Sequence, residues 1–552
     1  MFRSLRLSGL CVILFLLPVS VFASDRYQVG SGNTVTAAPL VQRPSTTPCV
    51  VTLFSGASFY DFNVENFVYT PPPGCPGPWA KVVFEADINV APGIQYDRTA
   101  EVWLGAYNIY FGTTAEPSPS LGPSWHVESD LTQYTPIFNS PNTGVASIGN
   151  TLCCGLTSII YASAQLEFYP LATGEAAPRV ADAVYPMSAG PNGGTVTLNT
   201  SSDTMTFTAN FPLNVVNAYL DVFSQSQSGD EFWYTCVPSD VANELFSCGN
   251  TGFRETEVSI DGQPAGVAPV SPWIFTGGID PFLWFPLPGV QTLHFAPVRV
   301  DLSPFAGLLS NGHQHTVSVS VFNANGYFED TANLRLYTDH GAAIVTGGVT
   351  KNTLAAAPSP AVVENLKTNS SGITGTVKVS SNRSYQINGY VETSFGRLST
   401  QIINSVQFLN AQNFVVSNNF VQDINLTTGY NTQTTVSTGL PISSVVKTES
   451  WQFPLTLDIS QIVQSNGNIN QTTTSHQTFS DTVKSPIESS ALNYDSHQTD
   501  TLVFDSSFNF VGNQGQASRQ SYVLNNSTGY SYSCKLTAAN NALTSFSAGC
   551  QQ

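Results

Sequence analysis

Gln95-Tyr96-Asp97-Arg98-Thr99-Ala100-Glu101-Val102-Trp103 places two carboxylates, a guanidinium and two aromatic rings together in a chain that is only 10% charged. Carboxylates beside aromatic rings can move protons on a substrate that packs on those rings, such as a sugar or a peptide. Read as a strand, alternate residues point one way. Asp97, Thr99, Glu101 and Trp103 then share one face, and Arg98, Ala100 and Val102 the other. Two acids and an indole are poor core material and suit a polar cleft. The same stretch also reads as scaffold, with Asp97 or Glu101 paired to Arg98 or Arg254. A second cluster, Asp230-Glu231-Phe232-Trp233-Tyr234, follows a Ser/Gln/Gly loop. Alone it reads as solvated acids beside core aromatics. Two such clusters in adjacent modules point to a cleft between modules, a usual place for sites. No Gly-x-Ser-x-Gly elbow, suitable Cys–His pair or phosphate loop occurs, so paired carboxylates are the chemistry on offer.

The elements that must position these residues are almost all β. Short β-branched or alternating runs such as Trp79-Ala80-Lys81-Val82-Val83-Phe84-Glu85-Ala86 are separated by Pro/Gly clusters such as Thr70-Pro71-Pro72-Pro73-Gly74. No long stretch has helical period, which implies sandwiches or barrels. A length of 552 residues suggests roughly three to four domains. The expected division is a leader over 1–23, a first β-sandwich over 24–185, a second over 186–350, and a C-terminal β-rich module over 351–552 with an accessory or covering role. In the last, Ser, Thr, Asn and Gln dominate and Trp451 is the only tryptophan.

Charge excludes several functions. There are 19 Lys and Arg against 37 Asp and Glu, for a net charge of −18. Nothing here neutralises a row of phosphates, so neither nucleic acid nor an anionic membrane surface is an expected partner. In acid the carboxylates protonate and little positive charge remains to repel itself, so the fold should tolerate low pH. Arg3 and Arg6, the apolar run from Leu10 to Val21, and Val21-Phe22-Ala23 read as a secretory leader. No later apolar run is long enough to span a membrane, which implies a secreted protein without a span in its mature form. Cys11 lies in the leader, leaving eight of the nine cysteines. An even number in an exported chain suggests disulfides. Proximity favours Cys49–Cys75, Cys236–Cys248 and Cys534–Cys550, while the adjacent Cys153 and Cys154 form a vicinal bridge or pair elsewhere. There is no Cys-x-x-Cys, and the few histidines form no evident ligand cluster, so neither a metal nor a cofactor is expected.

Several ordered segments resemble the peptide-N-glycanase A type amidases, acid-active enzymes that remove N-linked glycans from asparagine. They are Tyr96 to Gly105, Thr113-Thr114-Ala115-Glu116-Pro117, Asp230 to Tyr234, Gly252-Phe253-Arg254-Glu255, Ile274-Phe275-Thr276-Gly277-Gly278-Ile279 and Asp339-His340-Gly341. A more distant likeness is to peptide-N-glycanase F, built of two jelly-roll sandwiches. The resemblance therefore implies an all-β fold of two jelly-roll-like antiparallel sandwiches side by side, plus the C-terminal module. It implies hydrolysis of the amide joining asparagine to N-acetylglucosamine in an N-glycopeptide or N-glycoprotein. The F enzyme's catalytic aspartate lies in an aromatic-Asp-Arg-x-Ala strand, matched here by Tyr96 to Ala100, so Asp97 is its counterpart. Its second important acid matches Glu231 best, with Asp230 the alternative. A third glutamate finds no match, because the region from Val145 to Leu152 offers Gly149-Asn150 instead. On this reading Asp97 acts at the scissile nitrogen and Glu231 positions or activates water. Arg98 or Arg254 stabilises an oxyanion, and Arg98 lowers the pKa of Asp97. Tyr96, Phe232 and Trp233 line the chitobiose site, and Glu101 supports the cleft wall. Two alternatives stay open: a glycoside hydrolase using the same carboxylates, and a non-catalytic lectin or adhesin on the same sandwiches.

Overall fold

The computed structural model describes residues 26–439 and 443–551, so the expected leader lies outside the described residues. Strands carry nearly all of the structure and pair antiparallel. Residues 49–170 form two four-stranded sheets. In the first, Cys49–Phe59, Ile160–Pro170, Trp79–Val90 and Ser124–Asp130 lie in that order. In the second, the order is Val64–Tyr69, Asn142–Ile148, Thr99–Leu104 and Tyr107–Thr113. Numbered along the chain, these orders are 1-8-3-6 and 2-7-4-5, the connectivity of a jelly roll. Alternation sets the faces. Along Trp79–Val90, Ala86, Ile88 and Val90 are buried while Asp87 and Asn89 are exposed. Between the sheets, Phe59, Phe84, Leu104, Leu166 and Phe168 fill a core of their own.

Of the next nine strands, eight repeat the same connectivity. Val196–Leu198, Tyr327–Thr338, Val215–Gln227 and Val298–Asp301 form one sheet, to which Ala183–Met187 adds along Tyr327–Thr338. Met205–Asn210, Gln314–Phe322, Glu255–Ile260 and Gln263–Pro269 form the other. Beyond this second roll, a twelve-stranded sheet runs from Thr346–Asn352 to Ala542–Phe546. Its strands are long, with Gly372–Thr393 spanning 22 residues. The expected boundaries at 185/186 and 350/351 fall inside two strands, Ala183–Met187 and Thr346–Asn352, which pair into the second roll and the large sheet. We place the divisions just before those strands.

The large sheet covers the second roll rather than standing beside it. Phe408 packs on Trp233 at 6.0 Å and on Phe253 at 4.8 Å, and one hydrophobic core runs through both. Each large side chain buried there stabilises by roughly 1.5–3 kcal/mol. The polar composition of the sheet has a use at the same interface. Buried amides reach backbone carbonyls of the second roll's loops: Asn410 donates to Tyr234 O at 2.7 Å, Gln412 to Cys236 O at 2.9 Å and Gln422 to Thr235 O at 2.9 Å. Gln477 donates to Pro272 O at 3.2 Å and accepts Val290 N–H at 3.0 Å. Gln516 and Gln520 hold the carbonyls of Phe285 and Pro288. A buried loop carbonyl left unpaired would be costly, so these amides let irregular loops be covered.

Cys49–Cys75, Cys236–Cys248 and Cys534–Cys550 are bridged. Cys153 and Cys154 are not: both thiols are free and exposed, against the expectation of a bridge. Their side chains hydrogen-bond each other, and Cys154 adopts φ 62° in a turn. A bridge between neighbours would strain that backbone. Among the described residues, no helix is long and apolar enough to cross a membrane.

Candidate active site

Asp97 is not on a strand. Regular pairing begins at Thr99, so Asp97 sits in the lead-in and does not share the face of Glu101 and Trp103 as expected. The hairpin Thr99–Leu104/Tyr107–Thr113 turns through Gly105, whose φ of 57° suits a tight two-residue loop. Its open end brings together Asp97 from one arm and Glu116 from the other. The Asp97 N–H donates to Glu116 Oε1 at 3.2 Å. Arg98 N–H donates to Thr114 Oγ1 at 2.8 Å, and Thr114 N–H returns to Arg98 O at 2.9 Å.

The second roll closes over this end. Thr276 Oγ1 donates to Thr114 O at 2.8 Å, and Gly277 N–H donates to Asp97 Oδ1 at 3.0 Å. A Cβ on Gly277 would lie 2.2 Å from Asp97 Oδ1 and 2.3 Å from Glu116 Oε1, so both carboxylates flank one point of this loop. Gly278 packs near the Phe232 ring. Glu231, from the turn after Val215–Gln227, completes a group of three acids. Its electrostatic coupling is to Asp97, and that of Glu116 is to both.

Burial dominates the electrostatics. Desolvation raises Asp97 to about 6, against hydrogen bonds from the Gly277 and Asp97 amides and the charge of Arg98. Glu231 rises to about 7 through burial and the Asp97 charge, and Glu116 to about 8 through burial, Asp97 and, less, Glu231. Asp97 therefore ionises first, leaving one carboxylate beside two carboxylic acids. Arg98 lowers Asp97 as expected, but it is the smallest of these influences and burial outweighs it. Its guanidinium donates to Gln95 Oε1 at 2.7 and 3.2 Å and lies over the Tyr96 ring. Gln95 is itself fixed to Thr151 O and Ser158 O.

Other expected site residues lie behind this group. Asp230 is fully buried, its Oδ1 held by Arg254 and its Oδ2 by the amides of Asn325 and Gly326, each at 2.7 Å. Arg254 spends its remaining donors on the carbonyls of Asn250, Thr251 and Phe253. The pair pins the turn that carries Glu231; neither partner is free to reach a substrate. Trp233 is buried against Phe408 and lines no cleft. Glu101 accepts Trp103 Nε1 at 2.8 Å, and burial, with the charge of Glu329, raises it to about 7. It sits where the rolls meet, one turn of the pleat along from Thr99, which is bonded to Gln225 and Gln227. Phe232 is half-buried and Tyr96 is 61% exposed, so both are open to a ligand. Asn150, found where a third acid was sought, is buried and tied to Phe59 O and Ser158 O. Glu116 was not singled out as a site acid, though the Leu104-Gly105-Ala106-Tyr107 turn signal folds positions 97 and 116 onto one another.

Histidines do cluster, against expectation. His476 and His497 stack at 3.6 Å with Asp495 bonded to both, and His126 lies between Asp87 and Glu128. Cross-strand register brings the first set together and is invisible to local spacing. The second set lines a large groove between the 26–43 segment and the first roll. Of its acids, Glu128 is already paired with Arg43, as are the neighbouring Glu85 and Glu167, while Asp87 pairs with His126 alone.

Gly277→Ala tests the geometry. The substitution meets no positive φ, only the two carboxylates. The variant is expected to fold with near wild-type melting temperature and to lose activity about 100-fold, the effect of a small misplacement at a reacting centre.

Fold and site together define a double jelly-roll protein with an acid cluster where the two rolls meet. Residues 39–353 match the family described as peptide N-acetyl-beta-D-glucosaminyl asparaginase amidase A, and the chain belongs to that family. It is 30% identical over 386 residues to peptide-N4-(N-acetyl-beta-glucosaminyl)asparagine amidase A of Prunus dulcis, with 66% of this chain and 66% of the relative covered. The chain thus spans just under two thirds of that relative's length. Among solved structures, PNGF-II matches at 13% identity and a TM-score of 0.37 over 53% of this chain and 66% of that one. PNGase F, a glycosylasparaginase from Flavobacterium meningosepticum, matches at 13% identity and a TM-score of 0.35 over 53% and 96%.

Proposed function

We propose that this chain is a secreted amidase acting on N-glycopeptides and N-glycoproteins. It hydrolyses the bond between the asparagine side chain and N-acetylglucosamine, leaving aspartate in the peptide and releasing the glycan as a glycosylamine. The observation that carries the reading is the convergence of Asp97 and Glu116 on the Gly277 loop, with Glu231 coupled to them, at the junction of two jelly rolls in a chain of this family. Amide hydrolysis needs a base for water and an acid for the departing nitrogen. Groups whose environments push their pKa values apart can divide those tasks. Asp97, ionising first, takes the proton from water. Glu231 keeps its proton and gives it to the leaving nitrogen, which reverses the division expected from sequence. Glu116, the most buried of the three, holds the Asp97 backbone. Activity then rises as Asp97 ionises near 6 and falls as Glu231 ionises near 7, a maximum on the acid side of neutrality. Three disulfides support an oxidising compartment.

The test is a defined N-glycopeptide whose two products are weighed. An asparagine converted to aspartate, with an intact chitobiose core on the released glycan, supports the reading. A sugar left on asparagine would make the chain an endoglycosidase, and binding without product a lectin. Glu231→Gln is expected to lower kcat by about 10³-fold and to remove the alkaline limb of the pH profile.

A further inference from the structure

One buried acid pair lies outside the chemistry above. Asp280 is fully buried three residues after Gly277, and Asp500, in the strand Ser489–Phe504 of the large sheet, is 1% exposed. Asp280 Oδ1 caps Phe282 N–H at 3.0 Å, and Asp500 Oδ1 accepts Asn513 Nδ2 at 3.0 Å. The remaining oxygen of each carboxyl, Oδ2, is buried with no N–H or O–H donor bonded to it; the strand that carries Asp500 packs on the short helix Pro281–Trp284 that Asp280 caps, and the two carboxyls act on each other there. Two carboxylates both accept; a bond between them needs a proton.

The loop so held is strained. Asp280 N–H donates to Gly278 O at 2.7 Å, closing a three-residue turn around Ile279, whose φ is 65°. A β-branched residue in this region costs of order 1–3 kcal/mol and persists only when its surroundings enforce it. The same loop presents Gly277 N–H to Asp97.

We propose that Asp280 and Asp500 share one proton, and that this buried acid–carboxylate bond is the contact through which the large sheet positions the Gly277 loop against Asp97. Both are positioning residues, and that half of the proposal rests on the amidase reading. Besides each other, the groups that act on them are the backbone amides of Phe282, Leu283 and Thr501 and the neutral Asn513. Burial and then mutual repulsion hold the Asp280 proton on above the ordinary carboxyl range. Above that range both groups ionise, the bond becomes a repulsion, and Ile279 relaxes.

Carbon-13 NMR of aspartate carboxyls in the full chain should show one proton retained by the pair at pH 6. Amide exchange of Gly277, Gly278 and Asp280 should then accelerate when that proton leaves. Asp280→Asn, which donates permanently to Asp500, should keep these amides protected at the same pH and keep wild-type kcat and KM at pH 6. Asp500→Leu, which strands the Asp280 carboxyl, should lower kcat about 10-fold with KM unchanged. A pair fully ionised at pH 6 overturns the proposal, as does an Asp500→Leu variant with wild-type kcat and wild-type exchange. If the wild-type chain releases no glycan, the amidase reading fails by itself, and the NMR and exchange results still decide whether the proton is shared and the loop held.

Discussion

Asp97→Asn is expected to abolish glycan release, by about 10³-fold or more in kcat, while leaving the fold intact. Asparagine matches the protonated aspartic acid in size and charge. Its Oδ1 keeps the bond from Gly277 N–H, so the loop of the second roll stays in place. What is lost is the one group of the three that ionises first. A second readout separates loss of chemistry from loss of structure. The Asp97 charge helps to hold up both Glu116 and Glu231. Without it both should titrate below about 8 and about 7, measurable by NMR in the inactive variant. An Asp97→Asn protein with full activity would refute the assignment.

The melting temperature is expected to fall as pH rises from 5 to 8, the reverse of a protein held by salt bridges. Burial raises Asp97, Glu231, Glu101 and Glu116 to about 6, 7, 7 and 8. Burial and repulsion from Glu255 raise Glu257 as well. In the unfolded chain these groups lose protons near pH 4. Between roughly pH 4 and 8 the folded chain binds more protons, and stability declines with pH. The benefit is complete below the unfolded values and gone above the folded ones. Opposing groups act mostly lower. Glu128, despite burial, is held down to about 2 by His126 and Arg43, and its contribution disappears only in stronger acid. His294, kept neutral by burial down to about 4, opposes the trend only below its ordinary range. One pKa unit is about 1.4 kcal/mol, so several raised acids amount to several kcal/mol and a shift on the order of 10 °C. Calorimetry at fixed ionic strength checks this; a flat or rising melting temperature over that range would sink it.

Strand alternation, three disulfides and the two acid–aromatic clusters were legible in the sequence, because each is a local pattern. Asp97 and Glu231 were singled out because each lies beside aromatics in a charge-poor chain, and the structure brings the two together. Asp230, Arg254 and Trp233 were misplaced for the same reason: local pattern does not tell which acid of a pair faces a cleft and which is tied to an arginine in the core. Glu116 needed the hairpin register, and the Gly277 loop needed the contact between rolls. The hardest part was the large sheet. It is rich in Gln and Asn, yet Gln412, Gln477 and Gln520 are almost wholly buried, because their partners are main-chain carbonyls of loops far away in sequence.

That mode of holding has an evolutionary side. A glutamine that binds a carbonyl is indifferent to the side chain carried by the same residue. Loops seated on the large sheet are therefore free to exchange side chains without losing their seat. Libraries that randomise those loops should therefore retain folded members more often than libraries that alter the buried amides.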